Sequence, residues 1–135
     1  MELKVKKINV GEIPDIKKIY QEKQYERYLF NDYRLYDTFR NSVTFGLFDG
    51  KKMVGLSRLV GDFQYVIFIE DLITLDEYSH TDAKKLLIKE VFDRYPKVEK
   101  IYCNLKFRSK ETAIVYEEMG FVYEEENKLL VRNKE

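Results

Sequence analysis

His80 and Cys103 are the only histidine and the only cysteine of the 135-residue sequence, and both are residue types that can react at neutral pH. His80 could contact a phosphate or act as a base, because imidazole titrates near neutral pH. One histidine without a second ligand gives no metal site, so we expect no bound metal. A lone cysteine gives neither an intramolecular disulfide nor a cysteine-based metal cluster. The residues before Cys103 have the pattern of a strand, which indicates that Cys103 is a small packed hydrophobic residue rather than a nucleophile.

Two adjacent acids, Glu70 and Asp71, follow an apolar run that begins at Tyr65. A carboxylate in this position could accept a proton from a substrate ammonium, directly or through water, because an attacking amine must first be neutral. Side chains alternate along a strand, so only one of the two acids can face a cleft. The sequence leaves open which one it is, and a salt bridge or a cap at the strand end is the alternative for each.

An aromatic stretch precedes the strands, with Tyr28, Tyr33 and Tyr36 lying near Asp32 and Asp37. Ring faces beside carboxylates suit a cationic amine, because the ring quadrupole attracts positive charge. Core packing is the alternative for at least half of the rings in this stretch, since several of them must face inward at helical spacing.

The amino-acid composition limits which classes of protein and which binding partners are possible. Hydrophobic residues make up 44% and charged residues 36%, a globular balance, and the length fits one domain over residues 1–135. The 24 basic and 24 acidic side chains cancel, so no net field favours nucleic acid or an anionic membrane, and we expect neither as a partner. No apolar run approaches the roughly 18 residues of a membrane span, and the charged start lacks the apolar stretch of a secretory signal, which favours a cytoplasmic location.

The elements that must position these side chains follow from hydrophobic periodicity and turn residues. Asp49-Gly50 between β-rich segments predicts a tight hairpin, because glycine supplies the positive φ that such turns need. Pro14 suits the first turn of a helix, Pro96 ends another, and Ser109 is a good N-cap for the last. The predicted elements are strand Leu3–Ile8, a helix around Pro14, helix Gln24–Arg40, strands Val43–Phe48, Met53–Val60 and Tyr65–Leu75, helix Thr81–Arg94, strand Val98–Cys103, helix Ser109–Met119, and a hairpin of Phe121–Glu124 and Lys128–Arg132.

This order, β-α-α-β-β-β-α-β-α-β-β, resembles the GNAT (Gcn5-related N-acetyltransferase) fold over essentially the whole chain. The resemblance implies an α/β (α+β) fold with a mixed, mostly antiparallel sheet of about seven strands, a central βαβ unit and four helices. Two segments carry it. In Ala113–Phe121, Tyr116 is followed four residues later by Gly-Phe, as at the end of the family's final helix, and Phe68–Tyr78 is similar to the family's fourth strand and the loop into its cofactor helix.

The resemblance implies an acetyl-CoA-dependent N-acetyltransferase. Tyr116 would protonate the leaving thiolate, and either Glu70 or Asp71 would be the base. Family members usually have a bulge in the fourth strand, so that a backbone N–H points at the thioester carbonyl. This would be an oxyanion-type donor near Leu72, with Leu72 and Ile73 beside the cofactor.

The family's pyrophosphate loop is altered in this sequence. Between Tyr78 and Leu86 the family usually places Arg or Gln and then several glycines, whose backbone N–H groups cradle the phosphates, but this loop contains no glycine. We expect Asp82 to cap the following helix and to repel an incoming phosphate. Lys84 could contribute a cation, with a solvated helix face as the alternative. The predicted cofactor contacts around this loop and the last helix are Ser79, His80, Thr81, Asp82, Ala83, Lys84 and Ser109.

The first two helices form the acceptor wall in this fold, which implies Tyr28, Tyr33 and Tyr36 as substrate-binding residues. The predicted acceptor is the amine of a small molecule or a peptide, and a homodimer is left open. The alternative function is a catalytically silent GNAT-like domain that binds a small ligand or a protein partner. The missing glycines and Asp82 support this alternative, whereas Tyr116 and the strand acids support the enzyme.

Overall fold

A computed structural model describes residues 2–79, 82–105, 110–123 and 132 of the chain. The helices and strands are β1 Leu3–Ile8, α1 Ile13–Glu22, α2 Asp32–Arg40, β2 Val43–Asp49, β3 Lys52–Gly61, β4 Val66–Thr74, α3 Ala83–Arg94, β5 Lys100–Cys103 and α4 Lys110–Glu118. Short 3-10 turns occupy Val10–Glu12, Glu26–Tyr28 and Asp76–Tyr78. Each strand and helix predicted up to Met119 has a counterpart, and the largest change of boundary is in the second helix.

The strands form one sheet in the order β1-β2-β3-β4-β5. The pairs β1–β2, β2–β3 and β3–β4 are antiparallel, and β4–β5 is parallel. The mixed, mostly antiparallel α+β architecture and the four helices are therefore confirmed for the described residues. The prediction of about seven strands is not matched, because the described sheet has five and residues 121–123 form no strand. The rest of the predicted hairpin, residues 124–131, lies outside the described part of the chain.

The unit β4–α3–β5 confirms the predicted central βαβ connection. Antiparallel neighbours can be joined by a tight turn, but a parallel neighbour requires a crossover, which α3 provides. This unit brings the end of β4 and the end of β5 to the same region of the sheet.

The second predicted helix, Gln24–Arg40, is shorter than expected. Gln24 has φ 60°, a left-handed conformation that a continuing helix cannot contain, and the helix proper begins only at Asp32. Asn31 caps it, since its side chain accepts a hydrogen bond from the backbone N–H of Arg34 at 3.2 Å. The segment between α1 and α2 is therefore free to bring Tyr25 and the Glu26–Tyr28 turn against the sheet.

Consecutive buried residues from Met53 to Leu59 show that both faces of β3 are covered. Helices α1 and α3 both contact this strand, and Ile16, Leu56 and Leu87 are fully buried. At the β2–β3 turn Gly50 has φ 62°, as the Asp-Gly signal predicts. Among the described residues, no helix combines the length and the apolar character that a bilayer crossing requires.

Candidate active site

A β-bulge lies in the middle of β4. Arg58 of β3 is paired with Asp71, and the next residue, Leu59, is paired with Ile69, so Glu70 is the extra residue of the bulged strand. Bulges bend a strand and re-aim its side chains, and they are frequent beside active sites. The bulge implied by the resemblance to the fourth strand of the family is present at the two acids.

Strands β4 and β5 stop pairing one residue before this bulge. Their parallel register runs from Val66↔Lys100 to Ile69↔Cys103, and a last hydrogen bond joins the Asn104 N–H to the Ile69 carbonyl oxygen at 3.1 Å. Strand β4 continues to Thr74 and is paired there with β3 only. The two strands are parallel neighbours, as predicted, and the sheet opens beyond Ile69.

A small cavity of about 40 Å³ lies at this opening. It can hold about one or two water-sized polar groups. Residues from β4, from the end of β5, from α4 and from the segment after α1 converge on it. The lining residues are Tyr25, Glu70, Asp71, Leu72, Asn104, Thr112 and Tyr116.

Glu70 is half-buried, and its carboxylate accepts a hydrogen bond from Asn104 Nδ2 at 3.2 Å. This contact links the bulge of β4 to the first residue after β5. Among the described residues, the partner of this carboxylate is therefore a neutral amide donor rather than a cation.

Asp71 has a different environment. Only 6% of the residue is exposed, and its Oδ2 accepts hydrogen bonds from Arg58 Nε at 2.8 Å and from Tyr20 Oη at 3.0 Å. Its Oδ1 accepts from Tyr28 Oη at 3.3 Å. Burial, the largest single influence, would lower the pKa of Arg58, but the charge of Asp71, its hydrogen bond and the nearby Tyr28 and Tyr20 together outweigh burial and raise that pKa. Burial and then the Asp71 charge raise the pKa of Tyr20, so this hydroxyl remains protonated and donates.

Tyr116 lies on the inner side of α4 and is 2% exposed. Its ring meets the ring of Phe121 edge-on at 5.0 Å between centroids. It lines the cavity with Glu70 and Leu72, although most of the ring is packed in the core. Thr112, one helical turn earlier, lines the same cavity.

The predicted aromatic wall divides into two parts. Tyr28 stacks on Tyr20 at 4.6 Å between ring centroids and belongs to the buried network around Asp71. Tyr33 is 86% exposed and Tyr36 is 41% exposed, and neither lines the cavity. Tyr25, a further ring of the same aromatic stretch, lines the cavity and stacks on Tyr20 at 5.7 Å between ring centroids.

Asp82 precedes α3 but does not cap it with its side chain. Its backbone, at φ −80° and ψ 17°, lacks the extended conformation that directs an N-cap oxygen to the first turn, and the side chain makes no capping hydrogen bond. The expected cap is therefore a wrong prediction. The carboxylate is exposed at the start of the helix.

Lys84 is buried instead of lying on a solvated helix face. Only 9% of the residue is exposed, and its Nζ donates to Thr74 Oγ1 at 2.9 Å and lies 3.4 Å from Glu111 Oε1. Burial lowers the pKa of its ammonium group, and Glu111 partly offsets this. Lys85 pairs with Glu118 at 3.0 Å, so both lysines join α3 to α4.

The other predicted cofactor residues have separate locations. Ala83 is fully buried and Ile73 is 2% exposed, so both belong to the core. The Ser79 hydroxyl donates to the Asp76 carbonyl oxygen at 2.9 Å. His80, Thr81 and Ser109 lie outside the described residues. Within the described ranges, no group of three or more His, Cys, Asp or Glu side chains could hold a metal ion.

Two of the residues that the sequence analysis missed carried a signal. Asn104 directly follows a parallel strand, at the edge where α/β folds collect functional side chains. Thr112 precedes Tyr116 by one helical turn and so shares its face. Arg58 carried no local signal, because its role depends on pairing across the sheet. Tyr25 belongs to the aromatic stretch assigned to the acceptor wall, but its place at the cavity depends on the irregular segment after α1.

Comparison with known proteins identifies the fold. No protein-family model matches the sequence, and no curated protein matches it. A GNAT-family acetyltransferase of Streptococcus pneumoniae is similar with a TM-score of 0.78 and 24% identity, over 99% of this chain and 100% of the other. A ribosomal-protein-alanine N-acetyltransferase of Brucella melitensis has a TM-score of 0.78 and 10% identity, over 98% and 100% of the two chains. An aminoglycoside acetyltransferase from an uncultured soil sample, solved with sisomicin, has a TM-score of 0.76 and 14% identity, over 98% and 97%.

Proposed function

We propose that this chain, which has the fold of GNAT acetyltransferases, is an N-acetyltransferase that uses acetyl-CoA and acts on a primary amine. The observation that carries the proposal is the convergence of Glu70, Leu72 and Tyr116 on one cavity where β4 and β5 stop pairing. A carboxylate, a strand backbone and a phenol are the proton acceptor, the hydrogen-bond donor and the proton donor that acyl transfer to an amine requires.

The residues around the cavity fit the acyl end of acetyl-CoA, since the lining combines a carboxylate, an amide and hydroxyl groups with the apolar Leu72. When bound, acetyl-CoA supplies an acyl group activated as a thioester. At the phosphate end, Lys84 and Lys85 in the first turn of α3 are the cations that could hold the anionic part. Both lysines are paired with acids of α4, so the cofactor phosphates must replace these acids as the partners of the two lysines when the cofactor binds.

Glu70 is the proposed base. Both oxygens of Asp71 already accept hydrogen bonds, from a guanidinium and two tyrosines, whereas Glu70 has only the amide of Asn104 as its described partner. Glu70 accepts the proton of the acceptor ammonium, directly or through a water in the cavity. The backbone N–H near Leu72 donates to the acyl oxygen, and the Tyr116 hydroxyl donates a proton to the departing sulfur.

The acceptor binds beside Tyr25, whose ring lines the cavity with Glu70. An aromatic face next to a carboxylate favours a protonated amine. One of the similar proteins is named for the alanine of a ribosomal protein and another for aminoglycosides, so both protein and small-molecule amines are candidate acceptors. Sisomicin and a peptide with an N-terminal alanine are therefore suitable first probes.

Calorimetric titration with acetyl-CoA, followed by transfer assays on both probes, tests this proposal. Glu70→Gln should lower kcat by about a hundredfold or more, because general base catalysis typically contributes that much, and should leave acetyl-CoA affinity unchanged. Tyr116→Phe should lower kcat in the same way. Glu90→Gln, at an acid of α3 that does not line the cavity, is the matched control. Absence of acetyl-CoA binding would contradict the enzyme and favour the catalytically silent domain.

A further inference from the structure

The Asp71 carboxylate is the centre of a buried polar network that joins five parts of the fold: β4, β3, α1, the Glu26–Tyr28 turn and the segment between α2 and β2. Arg58 of β3 binds it with Nε, donates from Nη2 to Tyr28 Oη at 3.1 Å, and donates from Nη1 to Ser42 Oγ at 3.2 Å. Tyr20 of α1 and Tyr28 of the following turn both donate to the carboxylate. The side chains of Arg58 and Asp71 are 9% and 5% exposed, so this is an ion pair largely removed from water.

Stability alone is a weak explanation for such a pair. Removing two charges from water carries a desolvation penalty that their attraction often only balances, and well-packed uncharged residues can replace buried ion pairs without loss of stability. The best-attested role of buried polar groups is to select one arrangement among similar ones. The arrangement next to this pair is the bulge of β4.

The apolar residues around the bulge do not define its position by themselves. Ile67, Ile69 and Ile73 are the same residue type at even spacings and all buried. A bulge displaced by two residues would therefore still leave an isoleucine on the covered face, whereas displacement by one residue would turn neighbouring side chains to the opposite face. Asp71 is the charged side chain of β4 with a buried cationic partner, and that partner, Arg58, is the residue directly across the ladder. With Arg58 bound to Asp71, the extra residue is Glu70.

We propose that Arg58 is a positioning residue: by binding Asp71 across the ladder it fixes the bulge at Glu70, and thereby sets where the Glu70 carboxylate and the backbone near Leu72 meet the cavity. This inference rests on the proposed function, since it assigns Arg58 its effect through Glu70. The inference also gives the two adjacent acids different roles, because Asp71 orients the strand and Glu70 faces the acceptor.

The test is a charge-balanced replacement of the pair. Arg58→Met combined with Asp71→Asn removes both charges, and the asparagine oxygen can still accept from Tyr20. The Arg58→Met single variant leaves a buried carboxylate without its cation, so its melting temperature should fall most. Lys89→Met with Asp93→Asn, which removes an exposed pair of α3, is the matched control.

The double variant should melt near the wild-type temperature and bind acetyl-CoA with unchanged Kd. Its kcat on sisomicin or on the N-terminal-alanine peptide should fall by about a hundredfold, because a displacement near 1 Å can cost that much. Amide hydrogen exchange at residues 70–72 should become faster, and exchange in β2 should not change. Arg58→Lys should recover part of the rate, because an ammonium can bind Asp71 but cannot reproduce the guanidinium's separate contacts.

A double variant with wild-type kcat, or with wild-type exchange at residues 70–72, would overturn the proposal. A parallel loss of acetyl-CoA affinity and rate would also overturn it, because the effect would then not act through Glu70. If the double variant does not fold, the same two measurements are made on Arg58→Lys. A kcat and an exchange at residues 70–72 that both equal those of the wild type would then overturn the proposal. If wild-type protein neither binds acetyl-CoA nor acetylates a probe, the proposed function fails, while the exchange data still show whether Arg58 fixes the bulge.

Discussion

Asp82 places an exposed carboxylate at the start of α3, where a cofactor phosphate would meet the helix N-terminus. At an effective dielectric near 20, two unit charges about 4 Å apart repel by about 4 kcal/mol. The side chain makes no capping hydrogen bond, so its removal takes no cap from the helix. Charge is therefore the property of Asp82 that bears on cofactor affinity.

Asp82→Asn and Asp82→Ala should both raise CoA affinity, and by similar amounts, because repulsion is lost in each and no cap is lost in either. The gain should be larger at low salt than at about 1 M salt, where the Debye length is only about 3 Å. Calorimetric titration at both salt concentrations measures it, with Asp93→Asn at the other end of α3 as the control. Unchanged affinity in both variants would mean that the anionic part of the cofactor binds away from this residue. A gain in the asparagine variant alone would restore the capping role.

Glu70 and Asp71 show how far a single residue can be interpreted from sequence. Their position after an apolar strand predicted that only one of them would face a cleft, but both line the cavity, because the bulge at Glu70 interrupts the alternation of side chains. What distinguishes the two acids is Arg58, which binds Asp71 and lies thirteen positions before it in the chain but opposite it in the sheet. Pairing of this kind is a property of the folded ladder, so the acids could be located beforehand but could not be assigned separate roles.

Among the elements, the β3–β4 connection shows how a turn is built from local chemistry. Gly61 has φ 148°, and an added Cβ would lie 2.3 Å from the Val66 carbonyl oxygen, so a side chain at this position is excluded. Asp62 then accepts hydrogen bonds from the N–H groups of Gln64, Tyr65 and Val66 at 2.9, 2.8 and 3.0 Å. These donors lower the pKa of the Asp62 carboxyl below its ordinary 3.8, with that of Gln64 contributing most.

The lowered pKa predicts a pH-dependent stability of this turn. A group with a depressed folded pKa stabilises the fold fully above its unfolded pKa, here about 3.8, and that contribution is lost as the pH falls through the lower folded value. Asp62→Asn keeps an acceptor oxygen but cannot ionise, so it should melt below wild type at neutral pH, and the difference should shrink as the pH falls below 3.8. Asp62→Ala should melt lower still at neutral pH. Melting curves from pH 2 to pH 7, with Asp93→Asn as the control, test this, and a difference that grows toward low pH would contradict it.

At the scale of the molecule, the cleft joins elements that are distant in the chain: β4, β5, α4 and the segment between α1 and α2. The ion pairs Lys84–Glu111 and Lys85–Glu118 tie α3 to α4 on one side of it. A ligand that contacts all of these elements should raise the free energy of unfolding of the protein, since the protein can unfold only after the ligand is released.

Acetyl-CoA should therefore raise the melting temperature in a concentration-dependent way. A ligand at about 100 times its Kd stabilises the native state by about 2.7 kcal/mol. Lys84→Met should reduce the shift, because one of the cations proposed to hold the phosphates is removed. Acetyl phosphate, which carries an activated acetyl group without the nucleotide, is the control and should give no shift. A melting temperature that does not change up to millimolar acetyl-CoA would argue against cofactor binding by this chain.

The sequence by itself determined the elements and their order, because the signals for them are local. The strand Leu3–Ile8 and the Asp49-Gly50 turn each depend on neighbouring residues, and each appears as predicted. The sequence predicted the boundaries of the elements less well. The predicted second helix begins at Gln24, but the positive φ of this residue excludes it from a helix. The two C-terminal strands that would bring the sheet to about seven strands are not present among the described residues.

The tertiary structure alone decided the contents of the site. Lys84 has the sequence spacing of an exposed residue, yet it is buried because α3 packs with its first turn against Thr74 and α4. Tyr25 and Asn104 reach the same cavity from positions nearly eighty residues apart. Contacts at this separation depend on how twisted strands and packed helices meet, which no local pattern encodes. Periodicity therefore specified the scaffold, and long-range packing specified which of its polar side chains share one cavity.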